Sequence, residues 1–158
     1  MRVAITGHRE LPVETARLVE SRLRAEIGGY RAAELVGVTC LADGADSIFA
    51  RLVLAHGGRL SVIIPASEYR AGQPEPHHAT FDALCAKASE IIELDFVAPE
   101  PPAYLAAGLR MLDTADHLIA VWDGRPARGP GGTADIVAAA HDRGLSVTVV
   151  WPPGAQRA

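Results

Sequence analysis

The sequence predicts a single α/β domain: three α/β/α layers around a mostly parallel central sheet of about six strands. Three observations carry this. Short apolar runs of strand length alternate with longer segments of helical spacing along the whole chain. Glycine pairs and prolines fall where those segments should stop and start. The length of 158 residues suits one domain, and 49% hydrophobic with 22% charged residues is an ordinary globular balance that excludes a disordered chain. Strand–helix alternation at this spacing means βαβ units, right-handed crossovers and a sheet covered on both faces.

The first strand is Val3-Ala4-Ile5-Thr6, running straight into Gly7. Pro12 suits the first turn of a helix; Ala16, Val19, Leu23 and Ile27 follow at helical spacing, and Gly28-Gly29 stop it. Residues 35–40 read as a second buried strand, followed by the turn Leu41-Ala42-Asp43-Gly44. The next helix has Ala45, Ile48, Phe49, Leu52 and Val53 on one face and ends at Gly57-Gly58. Residues 60–64 form the third strand, closed by Pro65. Residues 66–78 hold Gly72, Pro74, Pro76 and the pair His77-His78, and read as a long loop of the kind that is often functional. A helix over about 79–89 and a short strand over 91–94 follow. Pro99, Pro101 and Pro102 mark a turn, and Tyr104, Leu105, Gly108, Leu109 and Leu112 give a helical stripe. Residues 117–122 are another buried strand, and 123–130 a Gly/Pro/Arg loop. Gly131-Gly132-Thr133 opens the last helix, Gly144 ends it, and residues 146–150 are the final strand. The domain is thus 1–151, with a tail over 152–158.

Charge and composition narrow the function. A net charge of −4 argues against a generic electrostatic grip on nucleic acid. Lys87 is the only lysine, and the Arg, Ala, Gly and Pro usage resembles high-GC coding bias, so a single Arg carries less weight. No apolar run reaches the roughly 18 residues of a membrane span. The apolar start of the chain is too short for a signal-peptide core. Cys40 and Cys85 stand alone and read as packed thiols, and His77-His78 has no Cys/His/carboxylate company. A cytoplasmic, reduced protein with no metal, no cofactor and no membrane partner is the expectation.

Ligands of open parallel sheets bind outside the carboxyl ends of the strands. That rule selects 7–11, 41–44 and 123–133, with the loop after Pro65 at the same edge. The helix after Pro12 lacks one amide, and the helix near Asp43 and Asp46 starts with carboxylates, which read as an N-cap and its box partner. Phosphate therefore belongs at Gly131-Gly132-Thr133, where glycines allow close backbone approach and Thr133 adds a hydroxyl. The same triplet also suits a plain glycine turn capped by Thr133. Asp135, in the first turn, either complements the helix dipole, accepts bonds from ribose or stabilises a cationic sugar. Arg9 suits bidentate phosphate contact or a plain surface position, and His8 an acid, a base, a purine contact or a structural role. Arg125 and Arg128 lie in a loop that could close over an anion or stay solvated. Arg110 lies nearly opposite the apolar stripe of its helix, facing solvent or a second subunit.

Together these loops resemble a known group. Thr6-Gly7-His8-Arg9 is similar to the first-strand signature of the SLOG superfamily, and Ala42-Asp43-Gly44-Ala45-Asp46 to its second-strand G-x-A-x-G-A/V-D element. Arg110-Met111, Ala115-Asp116 and Gly131-Gly132-Thr133-x-Asp135 resemble the R…M…aD…PGGxGTxxE run of the LOG (lysine-decarboxylase-like) phosphoribohydrolases. The resemblance implies a Rossmann-like fold and a nucleotide or nucleotide-derived phosphorylated ligand. Gly7, His8, Arg9, Asp43, Gly44, Asp123, Gly131, Gly132 and Thr133 would bind it. It also implies Asp135 and Arg110 as catalytic residues if the protein is an N-glycosidase that splits a nucleoside 5′-monophosphate, and a homodimer with sites near its interface. Related branches include nucleoside deoxyribosyltransferases, a single-stranded-DNA-binding branch and putative molybdenum-cofactor carriers. The chain departs from the LOG pattern: an insertion separates Asp123-Gly124 from Pro130, and Asp replaces Glu at Asp135. Binding as carrier or sensor is the leading expectation, and the glycosidase the alternative.

Overall fold

The structure is a computed structural model that describes residues 1–158. Six strands form one sheet: β1 (Arg2–Gly7), β2 (Val36–Thr39), β3 (Arg59–Ala66), β4 (Glu90–Phe96), β5 (His117–Val121) and β6 (Ser146–Val150). Their order is β4-β3-β2-β1-β5-β6, with every pair parallel. Six helices connect them: α1 (Val13–Gly28), α2 (Ala45–His56), the one-turn α3 (Tyr69–Gly72), α4 (His78–Lys87), α5 (Pro101–Thr114) and α6 (Thr133–Asp142).

A central parallel strand is covered on both faces, so it reads as an unbroken apolar run. Accordingly Val3, Ala4 and Ile5 of β1 are fully buried. The chain moves outward from β1 to β4, then crosses back to β5 on the other side of β1. Right-handed crossovers put the helices of these two runs on opposite faces. α1 packs on α2 and α2 on α4, making one layer, while α5 packs on α6 to make the other. The direction of winding reverses between β1 and β5, which is where the carboxyl edge opens a crevice.

Four local expectations are corrected. Residues 66–78 are not a plain loop: they hold α3 and a 3-10 turn over Glu75–His77, anchored by the fully buried Tyr69. Pro101 and Pro102 do not form a turn but start α5, where a missing amide costs nothing. β4 is longer than its apolar stretch, because an edge strand needs only one half-buried face, here Ile92 and Leu94. Gly44, not Asp43, caps α2; Asp46 sits inside the helix and its carboxylate accepts the Ala42 N–H at 3.3 Å. The segment after β6 folds back on α1, with the Thr15 hydroxyl and the Gln156 backbone bonded in both directions at 3.0 and 2.8 Å.

Candidate functional site

A cavity of about 630 Å³ opens outside the carboxyl ends of β1, β2 and β3 and is walled by residues 128–133, which follow β5. That volume is ordinary for a small-molecule site. The β1 end forms its floor. A Cβ at Gly7 would stand 2.5 Å from that of Ala45, so α2 begins directly against the strand. The His8 N–H continues the ladder to Val121 O at 3.2 Å, and His8 O accepts the Ala45 N–H at 3.3 Å. Gly44 permits this junction. Its φ is 103°, and a Cβ there would come within 2.7 Å of His8 O. Glu10 and Leu41 also hold left-handed backbone, at φ 50° and 57°, and both belong to these carboxyl-edge loops.

His8 is 3% exposed, and its ring meets Trp151 edge-on at 5.4 Å. Nε2 accepts the Asp123 N–H at 3.1 Å, with the Asp123 carboxylate 3.4 Å away. Burial, then the positive charge of Arg157, lowers the His8 pKa. The ring is therefore neutral at pH 7, and with Nε2 accepting, Nδ1 carries the proton. That Nδ1 is buried and has no partner in the protein. For Asp123, burial works to raise the carboxyl pKa, but the Arg125 N–H bond and the neighbouring His8 and Arg157 lower it overall.

The start of α6 forms another wall. Gly131 has φ 79°, and a Cβ there would meet the Leu105 amide at 2.8 Å, so this glycine is required by packing against α5. The Asp135 carboxylate accepts the Gly131 N–H at 2.9 Å, and the Gly132 N–H goes to Gly129 O at 3.3 Å. The first helical amides, of Thr133 and Ala134, have no acceptor and are the ones free for an anion. Thr133 is buried and makes no cap bond, so it lines the cavity instead of capping the helix. Arg128 and Arg157 line the same region, and Arg128 donates to Ala158 O at 2.8 Å.

Toward β2 and β3 the lining changes. Asp46, 7% exposed, faces the cavity with Arg9, Tyr69 and Tyr104. The Arg9 guanidinium lies 4.6 Å above the Tyr104 ring. Burial pushes the Asp46 carboxyl up to about 7, against the opposing effects of the Ala42 N–H and Arg9. Cys40 also lines this end; its Sγ is 3.9 Å from Met111 Sδ, and burial pushes its thiol far up, as for an inert packed cysteine.

Asp43 and Gly44 face a second, smaller depression with Ser47 and His77. Ser47, His77 and Asp43 have triad composition but not triad roles. The Ser47 hydroxyl donates to Ala42 O at 2.7 Å, His77 Nε2 donates to Leu41 O at 3.0 Å, and Asp43 stands 3.8 Å from Nδ1. With the Gln73 side chain accepting the Asp43 N–H at 3.2 Å, residues 66–78 brace the turn after β2. No three His, Cys, Asp or Glu side chains cluster as metal ligands. No helix is long and apolar enough to cross a membrane.

Of the residues singled out in the sequence, Gly7, His8, Arg9, Gly131, Gly132 and Thr133 share the cavity wall. Asp123 reaches it through His8, and Asp43 and Gly44 lie behind it. Asp135 is exposed and bonded to Gly131; Arg110 is exposed on α5; neither is on the wall. Sequence reasoning missed Asp46, Tyr69, Tyr104 and Arg157 as lining groups. Asp46 had a signal: with Ala50 and Val53 it falls at i, i+4, i+7 on the buried face of α2.

No protein-family model matches the sequence, and no curated protein matches it. Solved structures do. DNA processing protein A (DprA) from Streptococcus pneumoniae aligns at TM-score 0.71 and 18% identity, over 97% of this chain and 51% of that one. The present chain thus spans about half of that protein. Helicobacter pylori DprA, described for its single-stranded DNA binding mode, aligns at 0.69 and 19%, over 99% and 68%. The Chlamydomonas rheinhardtii Moco carrier protein aligns at 0.55 and 12%, over 94% and 74%. At such identities the likeness speaks for the fold alone: this chain has a Rossmann-like three-layer α/β fold, as those structures do.

Proposed function

We propose that the cavity binds a nucleotide or nucleotide-derived ligand through a phosphate, as carrier or sensor. The free N–H groups of Thr133 and Ala134 at the start of α6 carry this reading, because they have no acceptor in the protein and stand at the positive end of the helix dipole beside the cavity. Arg128 and Arg157 line the same wall, in a chain of net charge −4. Local positive charge in an acidic protein selects small anions without a general affinity for polyanions.

The test is a thermal-shift screen with inorganic phosphate, ribose 5-phosphate and nucleoside mono-, di- and triphosphates, followed by chromatography of each hit. A raised melting temperature with intact ligand supports a carrier or sensor. Release of free base would replace that reading with the N-glycosidase, for which Asp135→Asn should abolish turnover. A single-stranded oligonucleotide belongs in the same screen. Thr133→Pro removes one of these amides at a first helical position that tolerates proline, and should weaken every phosphate ligand about tenfold. Equal binding by Thr133→Pro and wild type overturns the site.

A further inference from the structure

We infer that the β2–β3 end of the cavity is a base-recognition subsite for guanine, whose ring N–H and exocyclic amino group would both be held by Asp46. The inference rests on the phosphate reading above and assigns the opposite end of the same ligand. Asp46 is 7% exposed, and the only hydrogen bond its carboxylate makes in the protein is the long one from the Ala42 N–H. It forms no ion pair, although Arg9 lines the same cavity. A carboxylate in that state has unused lone pairs in a low-dielectric wall and calls for donors from whatever enters.

The surroundings specify the kind of donor. Tyr69 and Tyr104 stand edge-on at 6.4 Å, and Cys40, Met111 and Pro65 complete an apolar lining suited to a flat ring. Tyr104 is pinned by its hydroxyl bond to Pro99 O, and the Arg9 guanidinium covers its face, extending the flat surface. A carboxylate is acceptor-only, so it pairs with adjacent donors and repels an acceptor. Guanine presents N1–H beside its 2-amino group. Hypoxanthine keeps N1–H and lacks the amino group, and adenine turns an acceptor N1 to the carboxylate. The spacing also fits. Asp46 follows β2 and the α6 amides follow β5, two strand positions apart in the sheet, or roughly 10 Å. One nucleoside monophosphate spans that interval.

Calorimetric titration of wild type and Asp46→Asn at pH 8 with guanosine, inosine and adenosine 5′-monophosphates and ribose 5-phosphate tests this. In the wild type, guanosine monophosphate should bind about ten- to a hundredfold tighter than the inosine compound, and adenosine monophosphate weakest of the three. In Asp46→Asn that order should collapse while ribose 5-phosphate binds as before, which also shows that the variant is folded. If ribose 5-phosphate binds the wild type but the three nucleotides do not differ, the base subsite is wrong and the phosphate site stands. If none of the four binds, the phosphate reading fails and this inference fails with it.

Discussion

Replacing Asp46 with Asn should stabilise the unliganded protein at alkaline pH. The Asp46 carboxyl titrates at about 7 in the fold against an ordinary 3.8, with burial the main cause. Between those values the folded chain holds a proton that the unfolded chain has released. Stability therefore falls as pH rises through that window, and the loss is complete above about 7. The full difference is about 4 kcal/mol at 1.36 kcal/mol per pKa unit, of which about 3 kcal/mol accrues between pH 5 and pH 8. Asn has nearly the same shape, carries no charge and can still accept the Ala42 N–H. The quantity to measure is the stability of Asp46→Asn minus that of wild type, by thermal or urea melts at both pH values. Other titrating groups cancel in that difference. Arg9 stays charged throughout, and Tyr69 and Cys40, both shifted upward by burial, stay neutral. The difference should swing toward the variant by about 3 kcal/mol, or roughly 6–12 °C for a chain of this length. An equal difference at pH 5 and pH 8 would refute a buried, poorly paired carboxylate.

Further predictions follow from the same geometry. Gly44→Ala should cost more than about 2 kcal/mol, because it combines an unfavourable φ with a clash on His8 O; chemical denaturation reads it. Gly131→Ala should lower both stability and phosphate affinity, since its Cβ would push the α6 start off α5, and a stability loss with unchanged affinity would separate that glycine from the site. Asp135→Asn should weaken the start of α6 by about 1 kcal/mol at most, being exposed; a much larger loss of stability would contradict the exposed position. Arg110→Ala should leave monomer stability within about 0.5 kcal/mol of wild type. Light scattering with ligand titration then shows whether Arg110 acts from a dimer interface: it should weaken binding only where the protein is dimeric.

The fold was legible because its elements obey simple periodicities. β1, β2 and β5 are buried on both faces and read as apolar runs, and glycines mark the ends of α1 and α2. α3 was not legible, since four residues are too short for a helical period, and β4 was truncated because an edge strand carries polar residues at alternate positions. The site was partly legible for a topological reason. The carboxyl-edge rule picks the loops after β1 and β5, and so finds His8, Arg9 and Thr133. It does not say which donors are already used. Gly131 N–H is taken by Asp135, and that appears only in three dimensions. Tyr69 and Tyr104 come from α3 and α5, far apart in sequence, and reach the cavity through packing alone. Asp46 was read as a helix-start residue because Asp is common there; its place on the apolar face of α2 outranked that habit.

The central claim is that the Thr133 and Ala134 amides donate to a bound phosphate, and amide NMR tests it most directly. Spectra of ¹⁵N-labelled protein with assigned backbone amides would be recorded during titration with ribose 5-phosphate. The account predicts downfield, exchange-protected Thr133 and Ala134 N–H signals in the complex. A bound complex in which those two signals stay where they were would contradict it.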